Sequence, residues 1–166
     1  MSTSWTPILF TQKGMNEMPS ITGVYPVYEN QFKIDITGGD GGTVSNLKTI
    51  ADMENFSVSI DGNIEEWKPF DQEGWVRRLL TGKSITITVS GKRNVGDAGN
   101  DYIESIALKT GSQATTTLIW TFPSGATLKL QGVVSVTEWG GGESTDVAPL
   151  AFDIASDGKP TFTPAA

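Results

Sequence analysis

Four short stretches of the sequence contain residue types that could bind a ligand or catalyse a reaction. The tripeptide Gly82–Ser84 (GKS) ends like a phosphate-binding P-loop, and the loop Thr37–Thr43 (TGGDGGT) offers backbone amides that could hold an anion. The stretch Gly96–Asp101 (GDAGND) groups oxygen ligands of the kind that calcium prefers. Glu65 and Glu66 could act as paired carboxylates in a glycosidase.

The neighbouring residues do not supply the setting that these chemistries need. A P-loop requires a glycine where Arg77 stands, and it joins a strand to a following helix. Asp40 would repel an anion in the glycine loop, and the calcium-like stretch lacks the residue order of an EF-hand loop. Adjacent glutamates on a strand point to opposite faces, although Glu138 could be a distant partner. We therefore predict no catalytic, cofactor or metal site, and we interpret these stretches as turns, caps and connecting loops.

Composition excludes further classes of function. The chain has 166 residues, no cysteine and no histidine, which removes disulfides, thiolate metal sites and the commonest general base. Its net charge is −7 at pH 7, and its only adjacent cations are Arg77-Arg78 and Lys92-Arg93, so we expect no specific nucleic-acid binding. The first residues lack a signal-peptide pattern, and no segment approaches a membrane span. We expect a protein that is made in the cytoplasm and has no membrane partner.

Alternation of apolar and polar residues predicts a chain made mainly of β-strands. Ile85, Ile87 and Val89 alternate with threonine and serine in the clearest half-buried strand. The turn Pro123–Gly125 joins two other strands into a hairpin. Strands of this kind are predicted at residues 32–36, 56–61, 85–89, 116–122, 128–136 and 150–154.

Two segments depart from this alternation and predict helices. Asp71–Leu80 has apolar residues at helical spacing, and Asn100–Thr110 has Asp101 and Glu104 at capping-box spacing. Both segments are too short to be stable helices without a sheet to lie on. The order of elements therefore predicts a mainly β fold, an antiparallel β-sandwich or barrel with one or two short flanking α-helices.

The two ends of the chain differ from its middle. Residues 1–30 contain three prolines and no sustained alternation, which indicates an N-terminal arm or mixed loop region. Residues 31–154 form the predicted β domain. Residues 155–166 contain two more prolines and are predicted to be a C-terminal tail.

Two longer segments combine strands and turns in a recognisable way: EWKPFDQEGWVRRLLTGKSITITVSGKRNVGDAGND (Glu66–Asp101) and VTEWGGGESTDVAPLAFDIASDGKP (Val136–Pro160). They resemble the tail-tube proteins, also called major tail proteins, of long-tailed bacteriophages. The resemblance implies a non-enzymatic structural subunit that forms hexameric rings, which stack into a tube for DNA ejection. It implies self-association, contacts with tail terminator and tail-tip proteins, DNA that passes through without specific binding, and a place in the virion tail after assembly in the host bacterial cytoplasm.

The same resemblance suggests which residues take part in assembly. It implies that an inner sheet lines the lumen, and that a long loop and the terminal arms bridge successive rings. The inter-ring loop candidates are Gly38, Gly39, Asp40, Gly41 and Gly42. The acidic lumen-facing candidates, chosen from the polar faces of strands, are Asp35, Asp61 and Glu138. A negative lumen would repel the phosphates of DNA.

A second hypothesis is a β-sandwich carbohydrate-binding or virion decoration module. It depends on Trp5, Trp67 and Trp139, which lie outside the predicted core faces and could stack on a sugar. The two hypotheses differ in self-association, because a module of this kind is expected to be a stable monomer, whereas a tube subunit is expected to form rings or tubes at high protein concentration.

Overall fold

The computed structural model describes residues 22–39 and 44–166, and their main element is an antiparallel β-sheet with one α-helix. The strands are β1 (Gln31–Asp35), β2 (Leu47–Thr49), β3 (Met53–Trp67), β4 (Arg77–Lys92), β5 (Thr115–Thr121), β6 (Thr127–Trp139), β7 (Pro149–Ser156) and β8 (Thr161–Thr163). The helix α1 is Ala98–Ile106, and short 3₁₀ turns occur at Val27–Glu29, Phe70–Gln72 and Gly111–Ala114. The predicted mainly β, antiparallel fold is confirmed.

The eight strands form one sheet that curls on itself. Their order is β2-β1-β5-β6-β7-β4-β3, and β8 pairs with β6. Phe32 of β1 nevertheless meets Phe56 of β3, with ring centroids 4.9 Å apart, although four strands separate them in the sheet. The turn between β2 and β3 passes very close to β4 at Gly91. A Cβ at that position would lie 2.1 Å from the carbonyl oxygen of Asp52, so this close approach requires a glycine. The sheet is therefore close to a barrel.

The hydrophobic core fills the inside of this curl, and α1 closes it. Every second residue of the central strands points inward, as the alternation predicts. Ile103 and Ile106 on one side of α1 pack into the same core. The core members from the sheet include Phe32, Ile34, Ile87, Val89, Leu118, Leu130, Val134, Leu150, Phe152 and Ile154.

One of the two predicted helices is present. The carboxylate of Asp97 accepts a hydrogen bond from the Asn100 N–H at 2.9 Å, so α1 begins earlier than the predicted Asn100, with Asp97 as its N-cap. The prediction of a helix at Asp71–Leu80 is wrong, because Arg77–Leu80 belongs to β4. Pairing with β3 stabilises this segment as a strand, whereas an isolated helix of this length is only marginally stable in water.

Part of the C-terminal segment that was predicted to be a tail lies in β-strands. Ala155 and Ser156 complete β7, and Thr161–Thr163 forms β8 alongside β6. At the other end, the described residues 22–30 lie outside the sheet, and residues 1–21 lie outside the described part of the chain. The division of the chain at residues 30 and 154 stays a prediction.

A candidate assembly surface

Strands β3 and β4 form a hairpin that extends beyond the rest of the sheet. Their pairing runs from Met53 opposite Gly91 to Trp67 opposite Arg77, whereas β7 accompanies β4 only as far as Thr86. Beyond that point the hairpin, residues 60–85, has no further strand beside it within the described ranges. We call this part the distal hairpin. A two-stranded ribbon is marginally stable in water without further cover.

An apolar face continues from the core along the distal hairpin. Ile60 lies opposite Ile85, and Ile64 lies opposite Leu80. These residues of β3 alternate with polar ones, so they share the side of the hairpin that faces the core nearer its base. Leu80 lies across Gly62, where a Cβ would come within 2.7 Å of its Cδ1 atom. Ile60 is 64% exposed, which makes this face an uncovered apolar surface.

The opposite face of the sheet is polar and carries three acidic residues. The strand register places Asp61 of β3, Asp153 of β7 and Glu138 of β6 on this same face. Asp61 and Glu138 are exposed, and both were predicted from the sequence to lie on a polar face. Asp153 was missed, although its position between the buried Phe152 and Ile154 is the signal that could have identified it.

The structure corrects the prediction that Asp35 is a lumen-facing residue, because Asp35 is only 2% exposed. Its carboxylate accepts hydrogen bonds from the N–H and Oγ1–H of Thr37 at 3.0 and 2.6 Å, from the Ser45 N–H at 2.8 Å and from the Asn46 N–H at 3.2 Å. Burial raises the pKa of Asp35, but these hydrogen bonds outweigh it and lower the pKa below its usual value. Asp35 therefore holds the two ends of the glycine loop together and is not free to line a lumen.

The first glycines of that loop lie against the body of the protein. The Gly39 N–H donates to the carbonyl of Thr115 at 2.8 Å. A Cβ on Gly38 would lie 2.7 Å from the hydroxyl oxygen of Tyr102, so the backbone passes close to α1 there. Asp40, Gly41 and Gly42 lie outside the described residues. The bridging role of the loop stays a prediction.

The stretches that suggested chemistry have structural roles. Gly82–Ser84 lies inside β4, with no helix after it to hold a phosphate. In Gly96–Asp101, Asp97 caps α1 and the Gly96 N–H donates to the carboxylate of Asp101 at 3.2 Å. Glu66 accepts a hydrogen bond from Arg78 at 2.5 Å. Among the described residues, no group of three or more acidic side chains could hold a metal ion, and no helix has the length and hydropathy to cross a membrane.

The tryptophans that could stack on a sugar are far apart. Trp139 pairs with Leu150, and Leu150 pairs with Gly91 near the end of β4. Trp67 pairs with Arg77, which is the first residue of β4. At about 3.3 Å per residue, this places the two indole-bearing positions roughly 45 Å apart. Trp5 lies outside the described residues. Trp67 and Trp139 therefore do not share a platform.

The main electrostatic cluster lies at the base of the sheet, away from the distal hairpin. Arg93 follows β4, and its guanidinium binds Asp101 at 2.7 Å and also Glu104. Hydrogen bonds from Arg93 are the leading cause that lowers the pKa of both carboxyls. Each charged group here is already paired with another, so the cluster joins β4 to α1 and leaves no carboxylate free for catalysis.

Comparison with known proteins identifies the fold. No protein-family model and no curated protein sequence matches the chain. Among solved structures, a chain in the tail of an empty gene transfer agent particle, refined helically with C6 symmetry, is 20% identical with a TM-score of 0.64, and the match covers 84% of this chain and 99% of that one. A chain in the virion of a native gene transfer agent particle is 19% identical with a TM-score of 0.63, and the match again covers 84% and 99%.

A third structure belongs to a different kind of assembly. It is a chain of the sheath–tube complex of an extracellular contractile injection system, PVC, in the extended state. The identity is 16% and the TM-score 0.57, with 91% of this chain and 99% of that chain covered. The predicted resemblance is thus confirmed at the level of the fold, which this chain shares with components of tails and injection systems.

Proposed function

We propose that this chain is a structural subunit of a tail tube, and that copies of it associate into hexameric rings that stack around a channel for DNA. The observation that carries the proposal is the distal hairpin, which presents an apolar face to solvent at the end of the sheet. The fold supports it, since a similar chain occurs in a gene transfer agent tail with C6 symmetry.

The free edge of β3 is a second reason to expect self-association. β3 is the last strand of the sheet and spans Met53–Trp67, with no partner on its outer side among the described residues. A long open edge next to an apolar face invites uncontrolled aggregation. Copies arranged around a rotation axis cover such edges in a closed ring, and stacked rings extend the assembly in one direction only.

The polar face with Asp61, Glu138 and Asp153 is the part of the sheet that we assign to the lumen. Its carboxylates would repel DNA phosphates, so that DNA slides through without binding. We assign the glycine loop around Gly38–Gly42 and the terminal segments to contacts between rings. Tail terminator and tail-tip proteins would then bind the exposed rings at the two ends, within a virion tail assembled in the bacterial cytoplasm.

Electron microscopy of concentrated protein tests this proposal. We expect rings or tubes for the natural sequence. The double substitution Ile60→Asp and Leu80→Asp places two charges on the apolar face of the distal hairpin and should abolish them. The matched control is Ser59→Asp, which adds a charge to the polar face of the same strand. Monomers of the natural chain at every salt and protein concentration would contradict the proposal.

A further inference from the structure

An open apolar notch lies where the distal hairpin separates from the rest of the sheet. Its apolar lining comes from Ile60, Ile85, Leu128 and Pro160, and the exposed Lys83 and Lys159 also border it. The volume is about 670 Å³, large enough for two aromatic side chains.

The notch exists because two neighbouring strands diverge. β7 pairs with β4 from Lys92 to Thr86, and the Ser156 hydroxyl then accepts a hydrogen bond from the Ile85 N–H at 3.0 Å. After Ser156, the chain turns at Gly158 and continues as β8 along β6. β4 instead continues toward the hairpin tip, so an apolar space with a strand edge on either side opens between the two.

The tip of the same hairpin carries two of the three most exposed aromatic residues in the described part of the chain. Phe70 is fully exposed and Trp75 is 77% exposed. Each has an acidic residue close by, Asp71 next to Phe70 and Glu73 two residues before Trp75. Neither acidic residue forms an ion pair with a described residue. Lys83 and Lys159 at the notch also have no acidic partner in the described ranges.

We infer that the hairpin tip of one copy inserts Phe70 and Trp75 into the notch of a neighbouring copy, with Asp71 and Glu73 placed against Lys83 and Lys159. Exposed aromatic anchors, an apolar pocket of matching size and complementary rim charges are the elements of an interface hot spot. The inference deepens the proposed function and rests on it.

The tip cannot fill the notch of its own copy. Lys83 lies seven positions after Val76 at the end of the bend, which is roughly 23 Å along the strand at about 3.3 Å per residue. The ribbon between them is paired strand for strand, so it cannot fold back on itself. Since the tip and the notch are different surfaces, the contact is heterologous, and its repetition from copy to copy gives either a closed ring or an open helix.

Disulfide trapping tests the inference directly, because the chain has no cysteine of its own. We would make the double variant Phe70→Cys and Leu128→Cys, assemble it at high concentration and oxidise it. The expected result is a ladder of disulfide-linked oligomers in non-reducing gels. The matched control is Phe70→Cys with Ser135→Cys, where the second cysteine lies on the polar face of the same strand as Leu128. It should yield at most about a tenth of the linked product, since neighbouring sulfurs must approach closely to bond.

A charge-reversal series gives an independent readout. Lys83→Glu with Lys159→Glu should weaken self-association at least about tenfold, and adding Asp71→Lys with Glu73→Lys should restore it. Tubes that form without Phe70–Leu128 cross-links overturn this inference and leave the proposed function standing. Cross-links from Leu128→Cys to Ile8→Cys in place of Phe70→Cys would also overturn it, because the N-terminal segment would then occupy the notch. A chain that never associates overturns both.

Discussion

The indole N–H of Trp139 donates a hydrogen bond of 3.0 Å to the carboxylate of Glu104, the same carboxylate that Arg93 binds. Glu104 thus joins the end of β6, the last turn of α1 and the segment that follows β4. The hydrogen bonds from Arg93 and from Trp139 lower the pKa of Glu104 below its ordinary value of 4.5. The protein should therefore lose the contribution of this carboxylate in acid.

The first prediction concerns this pH dependence. A folded-state pKa that is lower than the unfolded one stabilises the fold fully above pH 4.5, and the contribution disappears as the pH falls through the folded value. Glu104→Gln should therefore lower the urea midpoint at pH 7, and the difference from the natural chain should shrink below pH 4.5. Urea titrations followed by tryptophan fluorescence measure this. Glu138→Gln, an exposed change next to Trp139, is the control and should have the same urea midpoint as the natural chain at pH 7.

The second prediction concerns the anchor of the glycine loop. Asp35→Ala removes the acceptor of three backbone N–H groups, those of Thr37, Ser45 and Asn46. Leaving such donors unsatisfied should lower the free energy of unfolding by about 2–4 kcal/mol. Amide exchange at residues 44–46 should also become faster. Asp61→Ala is the control, since Asp61 is exposed and, among the described residues, accepts one hydrogen bond, of 3.4 Å, from Ser59. Equal stability of both variants would contradict the anchoring role.

The third prediction concerns Asn100, a fully buried polar residue on α1. Its amide nitrogen donates to the carbonyls of Lys92 at 3.0 Å and Ala51 at 3.2 Å. Asn100→Asp keeps the shape but turns this donor into an acceptor that faces two carbonyl oxygens. We expect a loss of about 2–4 kcal/mol in the free energy of unfolding, measured by urea denaturation at pH 7. The exposed change Asn55→Asp on β3 should cost less than about 0.5 kcal/mol.

The strands of the core could be predicted from the sequence because only one of their faces is buried. Ile87 and Val89 are buried, whereas Thr88 between them and Ser90 after them are only partly buried, so the sequence shows the alternation directly. In Arg77–Leu80 both faces are exposed, and no such alternation is required. The apolar residues there are spaced as in a helix, and only the pairing with β3 shows that they form a strand.

The candidate assembly surface was predictable only in part for a related reason. The sequence indicates that Asp61 and Asp35 lie on polar strand faces, but it does not show that Asp35 is buried and accepts hydrogen bonds from the N–H groups of Thr37, Ser45 and Asn46. The length of the distal hairpin is equally hidden, since it depends on β7 leaving the side of β4 after Ser156. These features arise from contacts between distant segments, which local patterns do not contain.

The last prediction is that the distal hairpin can be removed without unfolding the subunit. Asp61 and Ser84 lie directly opposite each other, so replacing residues 62–83 with Asn-Gly should close a two-residue turn between them. None of the removed residues belongs to the buried core, and we expect the thermal midpoint to change by less than about 5 °C. Sedimentation velocity should show a monomer at concentrations where the natural chain forms rings or tubes. Rings or tubes of the shortened chain would show that the free edge of β3 and the remaining loops suffice for assembly, which contradicts the role given to the hairpin.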